Sequence, residues 1–317
     1  MTKSLYYGIG QVSGNISTDN VAIGDSKPTN MNFVLVDRGA DLEGQQSDGI
    51  VGLTPQSTDE GQLLVDQLYE SGVIEKREFL VYIGKEGVDD SYIDFGKYEG
   101  NMTNATVLDV QPYKNTDIYV YWNVTNEGVY YNGSIIDFYT KDTVWDTGTS
   151  LLGFPTMDLV NLIEIIANGR DIYYFVDIGM FGYECDSIKD NYDLSFTFGD
   201  KNVTVSYNDF LRYEQETCLF YVFDMGAEDF MLLGDSFLRG SKILHDQENK
   251  QIVLFEQKIY DLDFTDPELS ISKEWIWLLL GCIGALIASL TLNCICKLRS
   301  ENKLSDYKRV GELSYYP

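Results

Sequence analysis

The stretch TVWDTGTSLLGFP, residues 143–155, decides the fold that we expect for this chain. Within it, Asp146, Thr147 and Gly148 separate a β-branched and aromatic run from an apolar run. This pattern predicts that Asp146 lies at the end of a strand, in a turn that the glycine permits. A carboxylate alone in such a turn can do little chemistry. The stretch therefore raises the question of where a second carboxylate lies.

The composition favours a mainly β protein. The chain has 317 residues, of which 44% are hydrophobic and only 6 are proline. This length is sufficient for one large core or for two lobes. Its 23 tyrosines and 16 phenylalanines are scattered through short runs with valine and isoleucine, broken by glycine, asparagine and aspartate. Such runs are typical of strands that are separated by turns.

The net charge of −27 indicates that nucleic acid is not a partner of this protein. One interpretation of the charge is a soluble, secreted surface that repulsion keeps monodisperse. The alternative is a working environment of low pH, where many carboxylates are protonated and their mutual repulsion is relieved.

Several classes of catalyst are excluded by the residues that the sequence lacks. The single histidine, His245, and the lack of any Cys/His cluster exclude most zinc sites and make a Ser-His or Cys-His pair hard to build. We interpret His245 as a surface or half-buried structural residue. The sequence also has no GxxxxGK motif and no GxGxxG motif that opens a helix. We therefore predict neither a metal nor a cofactor.

An uncharged apolar run at residues 275–296 predicts a transmembrane helix. Its 22 residues can span a hydrocarbon core of about 30 Å, and tryptophans at positions 275 and 277 are typical interface anchors. The tail at residues 297–317 carries five basic and three acidic residues, which predicts that the tail is cytosolic. Residues 261–274 would then be a juxtamembrane linker, and the remainder would be lumenal or extracellular. A buried helix of a soluble protein is the alternative.

Glycosylation sequons and cysteines agree with this topology. Six N-x-S/T sequons precede the apolar run and none follows it; they are at Asn15, Asn101, Asn104, Asn123, Asn132 and Asn202. Two of the five cysteines, Cys185 and Cys218, lie in the globular part, an even number that could form one disulfide in an oxidising compartment. We therefore expect a single-pass membrane protein of the secretory or endosomal/lysosomal pathway or of the cell surface.

The N-terminal residues MTKSLYYGIG contain no apolar segment of a signal peptide. Without one, residues 275–296 would insert as a tail anchor and leave the globular part in the cytosol, with its sequons unused. An internal comparison indicates instead that the start of the chain is missing. The Leu-Leu-Gly triplet at residues 232–234 ends 88 residues after Asp146, whereas the Ile-Val-Gly triplet at residues 50–52 follows no Asp-Thr/Ser-Gly. The same interval places a first aspartate about 37 residues before the chain begins.

Five motifs, in order, resemble those of the pepsin-like aspartic proteases from about residue 4 to residue 255. They are SLYYGIGQVSGNISTDNVAIG (4–24), similar to the flap hairpin and its next strand; SDGIVGL (47–53); the passage between lobes (79–122); DTGTSLL (146–152), similar to the second catalytic motif; and LLGDSFLR (232–239) with HDQENKQIVLF (245–255). A lone DTG is a weak signal, but five motifs with the family's spacing are specific. The family's first Asp-Thr/Ser-Gly has no counterpart in this sequence.

The resemblance implies a mainly β, bilobal pepsin-like acid protease fold with an incomplete N-terminal lobe, plus the one C-terminal transmembrane helix. Residues 1–115 would be the remainder of the N-terminal lobe, with the flap hairpin, and residues 116–260 the C-terminal lobe with the DTG motif. The resemblance also implies a disulfide between Cys185 and Cys218, as in the family's C-terminal lobe.

The resemblance further implies hydrolysis of peptide bonds at acidic pH by a pair of aspartates. Adjacent carboxylates cannot both ionise cheaply, so they share a proton, which is the established behaviour of the aspartic-protease dyad. Asp146 is the expected member of this pair. Thr147 is expected to interlock with its counterpart in the other lobe, Gly148 to bring its N–H to the carboxylate, and Thr149 to bind the substrate backbone.

Five further residues have expected roles. Tyr7 and Gly8, on a mobile hairpin, are expected to close over an extended peptide and exclude water. Asp48 and Asp235 are interpreted as structural carboxylates that cap turns. Trp145 is expected to pack in the core.

Two functional hypotheses follow. The first is a membrane-anchored aspartic endopeptidase, with a peptide or protein as substrate, seen through a chain that lacks its first catalytic aspartate. The alternative is a catalytically inactive, truncated relative that serves as a membrane glycoprotein or binds peptides. A homodimer could supply a second aspartate, but the partner's second lobe would clash with the first-lobe residues that are present, so we expect a monomer.

Overall fold

The structure, a computed structural model, describes residues 2–7, 10–40, 47–57, 63–85, 88–114 and 116–258, and the backbone of residues 308–309. Its strands are β1 (Thr2–Tyr7), β2 (Gly10–Val21), β3 (Thr29–Ala40), β4 (Glu78–Tyr82), β5 (Tyr92–Phe95), β6 (Thr106–Asp109), β7 (Asn123–Thr125), β8 (Gly128–Tyr131), β9 (Ser134–Ile136), β10 (Asp142–Trp145), β11 (Leu152–Phe154), β12 (Ile172–Phe175), β13 (Met180–Glu184), β14 (Leu194–Phe198), β15 (Lys201–Val205), β16 (Leu211–Glu214), β17 (Thr217–Phe220), β18 (Val222–Asp224), β19 (Met231–Leu233), β20 (Lys242–Asp246), β21 (Gln251–Leu254) and β22 (Lys308–Arg309).

Helices are few and mostly short. They are α1 (Leu64–Glu70), α2 (Thr156–Ala167), α3 (Tyr207–Phe210) and α4 (Asp235–Leu238), with one 3₁₀ turn at Ile188–Asp190. The prediction of a mainly β protein is confirmed. Residues 1–259 form one compact unit and residues 260–317 a second, of which β22 is described. The division of the first unit into lobes at residues 115 and 116 stays a prediction.

The N-terminal strands form an antiparallel three-stranded sheet in the order β1-β2-β3. The register pairs Thr2 with Asn15 and Tyr7 with Gly10, as a hairpin between β1 and β2 requires. The pairing of β2 with β3 shifts at a bulge beside Gly14, where a Cβ would lie 2.0 Å from the Leu35 carbonyl oxygen. Only glycine permits this close approach of the two strands.

A second antiparallel sheet, which we call the joining sheet, has the order β5-β4-β20-β21-β6. It combines strands from residues 78–109 with strands from residues 242–254. In its centre, β4 pairs with β20 so that Phe79 lies opposite His245. His245 is only 3% exposed. The prediction of a surface or half-buried histidine was therefore wrong, because the strand that carries it lies in the middle of this sheet.

The remaining strands build the part of the molecule that carries the DTG stretch. Their sheets have the orders β18-β11-β19-β10-β7, β16-β17-β13-β12 and β15-β14-β8-β9. Trp145, Phe196, Phe198 and Phe237 pack edge to face between these sheets, with ring centroids 5.1–5.8 Å apart. Trp145 is 3% exposed, so its predicted core position is confirmed. Such aromatic clusters stabilise a core beyond the area that they bury.

Helix α2 begins directly after β11, the strand that follows the DTG turn. Its buried residues Leu159, Leu162, Ile163 and Ile166 recur at the spacing of one helical face. The helix ends where Asn168 adopts the left-handed conformation, with φ 50°. The apolar face of α2 thereby packs against the core under β11 and fixes the exit of the DTG turn.

The described residues contain no helix that is long and apolar enough to cross a membrane. The predicted transmembrane run at residues 275–296, its linker at residues 261–274 and most of the tail at residues 297–317 lie outside the part of the chain that the structure describes.

Candidate active site

Asp146 lies directly after β10, where three strands meet. Strand β10 runs parallel to β19, with Trp145 opposite Leu233, and β11 returns antiparallel on the other side of β19. The backbone N–H of Asp146 donates to the Leu233 carbonyl oxygen at 3.1 Å. The chain between β10 and β11 therefore turns over the end of β19, and this turn presents the Asp146 side chain.

Both carboxylate oxygens of Asp146 accept a hydrogen bond from within the turn. The Gly148 backbone N–H donates to Oδ1 at 2.8 Å, and the Thr149 hydroxyl donates to Oδ2 at 2.7 Å. A Cβ at Gly148 would lie 3.1 Å from Oδ1, so a side chain would crowd the carboxylate. The Gly148 N–H therefore has the expected partner. The Thr149 hydroxyl orients the half-buried carboxylate, and its expected contact with the substrate backbone stays a prediction.

The other residues of the predicted site are placed less completely. Thr147 is exposed at the tip of the turn. Tyr7 ends β1 and pairs through its backbone with Gly10, as expected for the hairpin. The Tyr7 side chain and all of Gly8 lie outside the described residues. Their proposed closure over a substrate stays a prediction.

The residues that follow β19 donate hydrogen bonds to the DTG turn. The Asp235 N–H donates to the Thr149 carbonyl oxygen at 2.8 Å, and the Ser236 hydroxyl donates to the Ser150 carbonyl oxygen at 2.9 Å. Asp235 is the first residue of helix α4, and its expected role in capping a turn stays a prediction. Burial raises the pKa of Asp235, Arg239 acts against this, and the negative charge of Asp146 adds to it. Asp235 is therefore an acidic neighbour of Asp146.

A cavity of about 110 Å³ lies on the sheet that carries Asp146. It is lined by Gln111, Pro112, Tyr113, Lys114, Tyr121, Asn123, Asp142, Val144, Asp229 and Phe230. Val144 lies two residues before Asp146 on β10. Burial, followed by the neighbouring groups Tyr113, Glu228 and Asp146, raises the pKa of Tyr121. The rim carries an ion pair between Lys114 and Asp229 at 3.5 Å.

Sequence reasoning did not find this cavity. Its aromatic residues Tyr113, Tyr121 and Phe230 come from segments more than a hundred residues apart. Each looks like an ordinary aromatic beside a strand, and no local pattern marks any of them as lining a site. Across the described ranges, no group of three or more His, Cys, Asp or Glu residues is arranged to bind a metal ion.

Comparison of the sequence with known proteins identifies its family. A sequence model described as "Eukaryotic aspartyl protease" matches residues 1–257. The chain belongs to this family. It is 27% identical to Pepsin A of Canis lupus familiaris over 79% of the chain and 65% of that relative. It is 28% identical to Pepsin A of Bos taurus over 80% of the chain and 68% of that relative. Vacuolar protease A of Aspergillus fumigatus is 25% identical over 80% of the chain and 64% of that relative. The chain thus spans about two thirds of the length of these eukaryotic aspartyl proteases.

In this member of the aspartyl protease family, Cys185 and Cys218 form the expected disulfide. The bridge joins the end of β13 to β17. Beside it, the hydroxyls of Tyr131 and Tyr183 both donate to Asn191 Oδ1, at 3.2 and 2.7 Å. The disulfide and these hydrogen bonds stabilise the sheet that contains β13 and β17.

The six sequons of this family member differ in accessibility. Five of the asparagines are exposed: Asn15, Asn101, Asn104, Asn132 and Asn202. Asn123 is partly buried on β7, and its Oδ1 is buried without a hydrogen-bond partner among the described residues. Glycosylation requires an accessible side-chain amide, so Asn123 is the poorest of the six candidates.

Proposed function

We propose that this chain is part of an aspartic endopeptidase that hydrolyses peptide bonds at acidic pH, with Asp146 as one of two catalytic carboxylates. One observation carries the proposal: each oxygen of Asp146 accepts a hydrogen bond from its own turn, at the open end of β10. Donors on both oxygens fix the plane of the carboxylate, as required for a group that must bind one water in a defined direction.

The proposed reaction needs a second carboxylate facing Asp146. The ionised member of the pair takes a proton from a bound water, and the oxygen of that water forms a bond to the peptide carbonyl carbon. The protonated member donates its proton to the carbonyl oxygen. When the C–N bond breaks, the leaving nitrogen receives the proton of the pair, and a hydroxyl group of the tetrahedral intermediate returns one proton to the pair. The products are a carboxylic acid and an amine, and the pair again holds one proton. Asp146 alone cannot perform both roles, so we expect little or no turnover from residues 1–317.

We propose that a segment preceding the described hairpin sheet supplies the second carboxylate. Two observations support this. A Cβ added to Gly234, which follows β19, would lie within 2.6 Å of two carbonyl oxygens at residues 149 and 151. A Cβ added to Gly52, the counterpart of Gly234 in the first half, would have no atom within 4 Å. The neighbouring Ile50 and Val51 are 52% and 64% exposed. In this proposal, the preceding segment covers this apolar pair.

The proposed substrate is an extended peptide or protein segment. The cavity on the sheet that carries Asp146 would receive one side chain of the substrate, and the aromatic rings of Tyr121 and Phe230, 5.7 Å apart, favour an apolar or aromatic one. Tyr7 and Gly8 would close over the bound peptide from the β1–β2 hairpin. The expected form is a monomer, because both lobes belong to one chain.

We further propose that residues 275–296 anchor the protein in a membrane, with residues 1–274 in the lumen or outside the cell and residues 297–317 in the cytosol. The disulfide between Cys185 and Cys218 supports an oxidising compartment. The five exposed sequon asparagines support glycosylation there. The name of one relative, Vacuolar protease A, fits an acidic compartment for this chain as well.

The test compares two products of the same gene. The first is the recombinant chain of residues 1–317, and the second is the native protein, purified from its source cells through a tag added at the C-terminus. Cleavage of an unstructured protein substrate is measured near pH 4. We expect turnover from the native protein, its loss in Asp146→Asn, and no turnover from the recombinant chain.

Asp177→Asn is the matched control, because Asp177 is an exposed carboxylate at the tip of the β12–β13 hairpin. This control should cleave as well as the native protein. No cleavage by the native protein would overturn the proposal and favour the inactive relative. Turnover from the recombinant chain that Asp146→Asn abolishes would show that no second segment is needed.

A further inference from the structure

The single histidine lies at the centre of the joining sheet. His245 is on β20, opposite Phe79 on β4 and Ile252 on β21. Its ring stacks on the Phe79 ring with centroids 4.5 Å apart and planes 5° from parallel. The Trp122 ring meets the imidazole edge-on at 4.8 Å. With 3% exposure, the imidazole is enclosed by aromatic and aliphatic groups rather than by water.

The same place joins the two halves of the chain. The Trp122 indole N–H donates to the Leu53 carbonyl oxygen at 2.6 Å. The Gln247 side-chain amide donates to the Thr54 carbonyl oxygen at 3.2 Å, and the Lys250 ammonium donates to the Pro55 carbonyl oxygen at 2.7 Å. Residues 53–55 are thus tied to Trp122, which packs on His245, and to the turn that follows β20. A change in the packing of the imidazole would act on all these contacts.

The surroundings of the imidazole oppose the binding of a second proton in this position. Its Nδ1 is buried and has no hydrogen-bond partner among the described residues. Protonation would add a donor and a positive charge at a site that is closed to bulk solvent, and both are costly when unpaired. Burial accordingly lowers the pKa of His245 to about 3, and contacts with the backbones of Ile243 and Phe79 raise it only in part.

Charged neighbours do not offset this cost. The titratable residues on the elements packed against His245 are Glu78 and Tyr82 on β4, Lys242 and Asp246 on β20, Glu248 and Lys250 in the turn before β21, and Tyr121 beside Trp122. Glu78 accepts from the Tyr98 N–H and pairs with Lys76 at 3.7 Å. The Asp246 carboxylate accepts from the backbone N–H groups of Glu248 and Asn249. Burial is the largest influence on the pKa of His245 and lowers it, and hydrogen bonding with the backbones of Ile243 and Phe79 raises it in part.

We propose that His245 is an acid-sensitive joint: when its imidazole is protonated, the packing between β4, β20 and Trp122 opens, so this residue sets the lowest pH at which the two halves of the chain stay joined. The native state binds the proton less well than the unfolded chain does. The stabilisation is therefore fully present above the unfolded pKa of 6.5 and is lost as the pH falls from 6.5 towards 3. The inference does not depend on proteolysis.

The test compares the full chain of 317 residues with its His245→Phe variant, in which a ring that does not titrate can still stack on Phe79. Urea unfolding is measured near pH 7.5 and near pH 4.5. Between these values, the folding equilibrium constant of the wild type should fall about 100-fold more than that of the variant, as expected from pKa values of 6.5 unfolded and about 3 folded. His245→Leu is the second variant, in case the phenylalanine overpacks the site.

Hydrogen exchange, corrected for the intrinsic effect of pH, locates the change. Near pH 4.5 the wild type should lose protection in β4, β20 and β21 while keeping it in β14 and β15, and neither variant should show this loss. Equal pH dependence in the wild type and both variants would overturn the proposal. So would a loss of protection in β14 and β15 that is as large as the loss in the joining sheet.

Discussion

The carboxylate of Asp146 is oriented by residues that follow it directly in the chain. Its two hydrogen-bond donors, Gly148 N–H and the Thr149 hydroxyl, come from positions i+2 and i+3. An aspartate followed by such donors forms a turn of its own, in which side chain and backbone support each other. The orientation of this carboxylate is thus a local property of four consecutive residues.

The contribution of the Thr149 hydroxyl can be measured directly. Thr149→Val removes the 2.7 Å hydrogen bond and keeps the shape of the side chain, so the half-buried carboxylate loses a donor. We expect this to reduce the free energy of unfolding by about 1–2 kcal/mol. Urea unfolding near pH 7 measures it. Thr149→Ser is the control and should stay within about 0.5 kcal/mol of the wild type. An equal loss in both variants would show that the methyl group, not the hydroxyl, matters.

This local character explains what the sequence could predict of the site. The approach of the Gly148 N–H and the disulfide were expected from the resemblance of short motifs and spacings to the aspartic proteases, and the structure shows both contacts. The catalytic role of Asp146 stays a prediction. The cavity residues Tyr121 and Phe230 become neighbours only after folding. The burial of His245 was also missed, because the surrounding sequence ILHDQ is equally compatible with an exposed strand and with a central strand.

At the scale of elements, β19 decides how the site is built. It pairs in parallel with β10 and antiparallel with β11, so the two ends of the DTG turn pass on either side of it. Gly234 follows β19 directly, and a Cβ there would lie 2.1 Å from the Thr149 carbonyl oxygen. The interlocking of two turns therefore requires a glycine at this position. Periodicity predicts that these strands exist but cannot predict their order, which is set by contacts distant in sequence.

A pair of glycine substitutions tests this arrangement. Gly234→Ala should reduce the free energy of unfolding of the 317-residue chain by about 3 kcal/mol, because backbone atoms rather than flexible side chains oppose the new methyl group. Gly52→Ala, at the equivalent triplet, should change it by less than about 0.5 kcal/mol, since nothing lies within 4 Å of its Cβ. Chemical denaturation monitored by tryptophan fluorescence measures both.

The same two variants also test the proposed segment that supplies the second carboxylate. In a longer native product in which that segment folds over residues 50–52, Gly52→Ala should become as costly as Gly234→Ala. A native product that tolerates Gly52→Ala would show that no DTG turn covers this triplet.

At the scale of the whole molecule, two effects of acid oppose each other. The chain has 50 acidic and 23 basic residues, so at neutral pH its carboxylates repel one another. Acidification relieves this repulsion and stabilises the fold, whereas protonation of His245 destabilises it. The pH of greatest stability is then set where the two effects balance, below neutrality and above the range in which the joint opens.

Salt separates the two effects, because it screens repulsion between surface charges and has little influence on a buried imidazole. Raising the salt concentration from 0.01 M to 0.1 M shortens the screening length from about 30 Å to about 10 Å. We expect this change to raise the unfolding temperature near pH 7, and to raise it less near pH 4.5, where fewer carboxylates are charged. In His245→Phe, acidification at low salt should stabilise the protein, since only the relief of repulsion remains. If salt lowered the unfolding temperature near pH 7, net attraction between surface charges would dominate instead, and the acidic composition would carry no cost to stability.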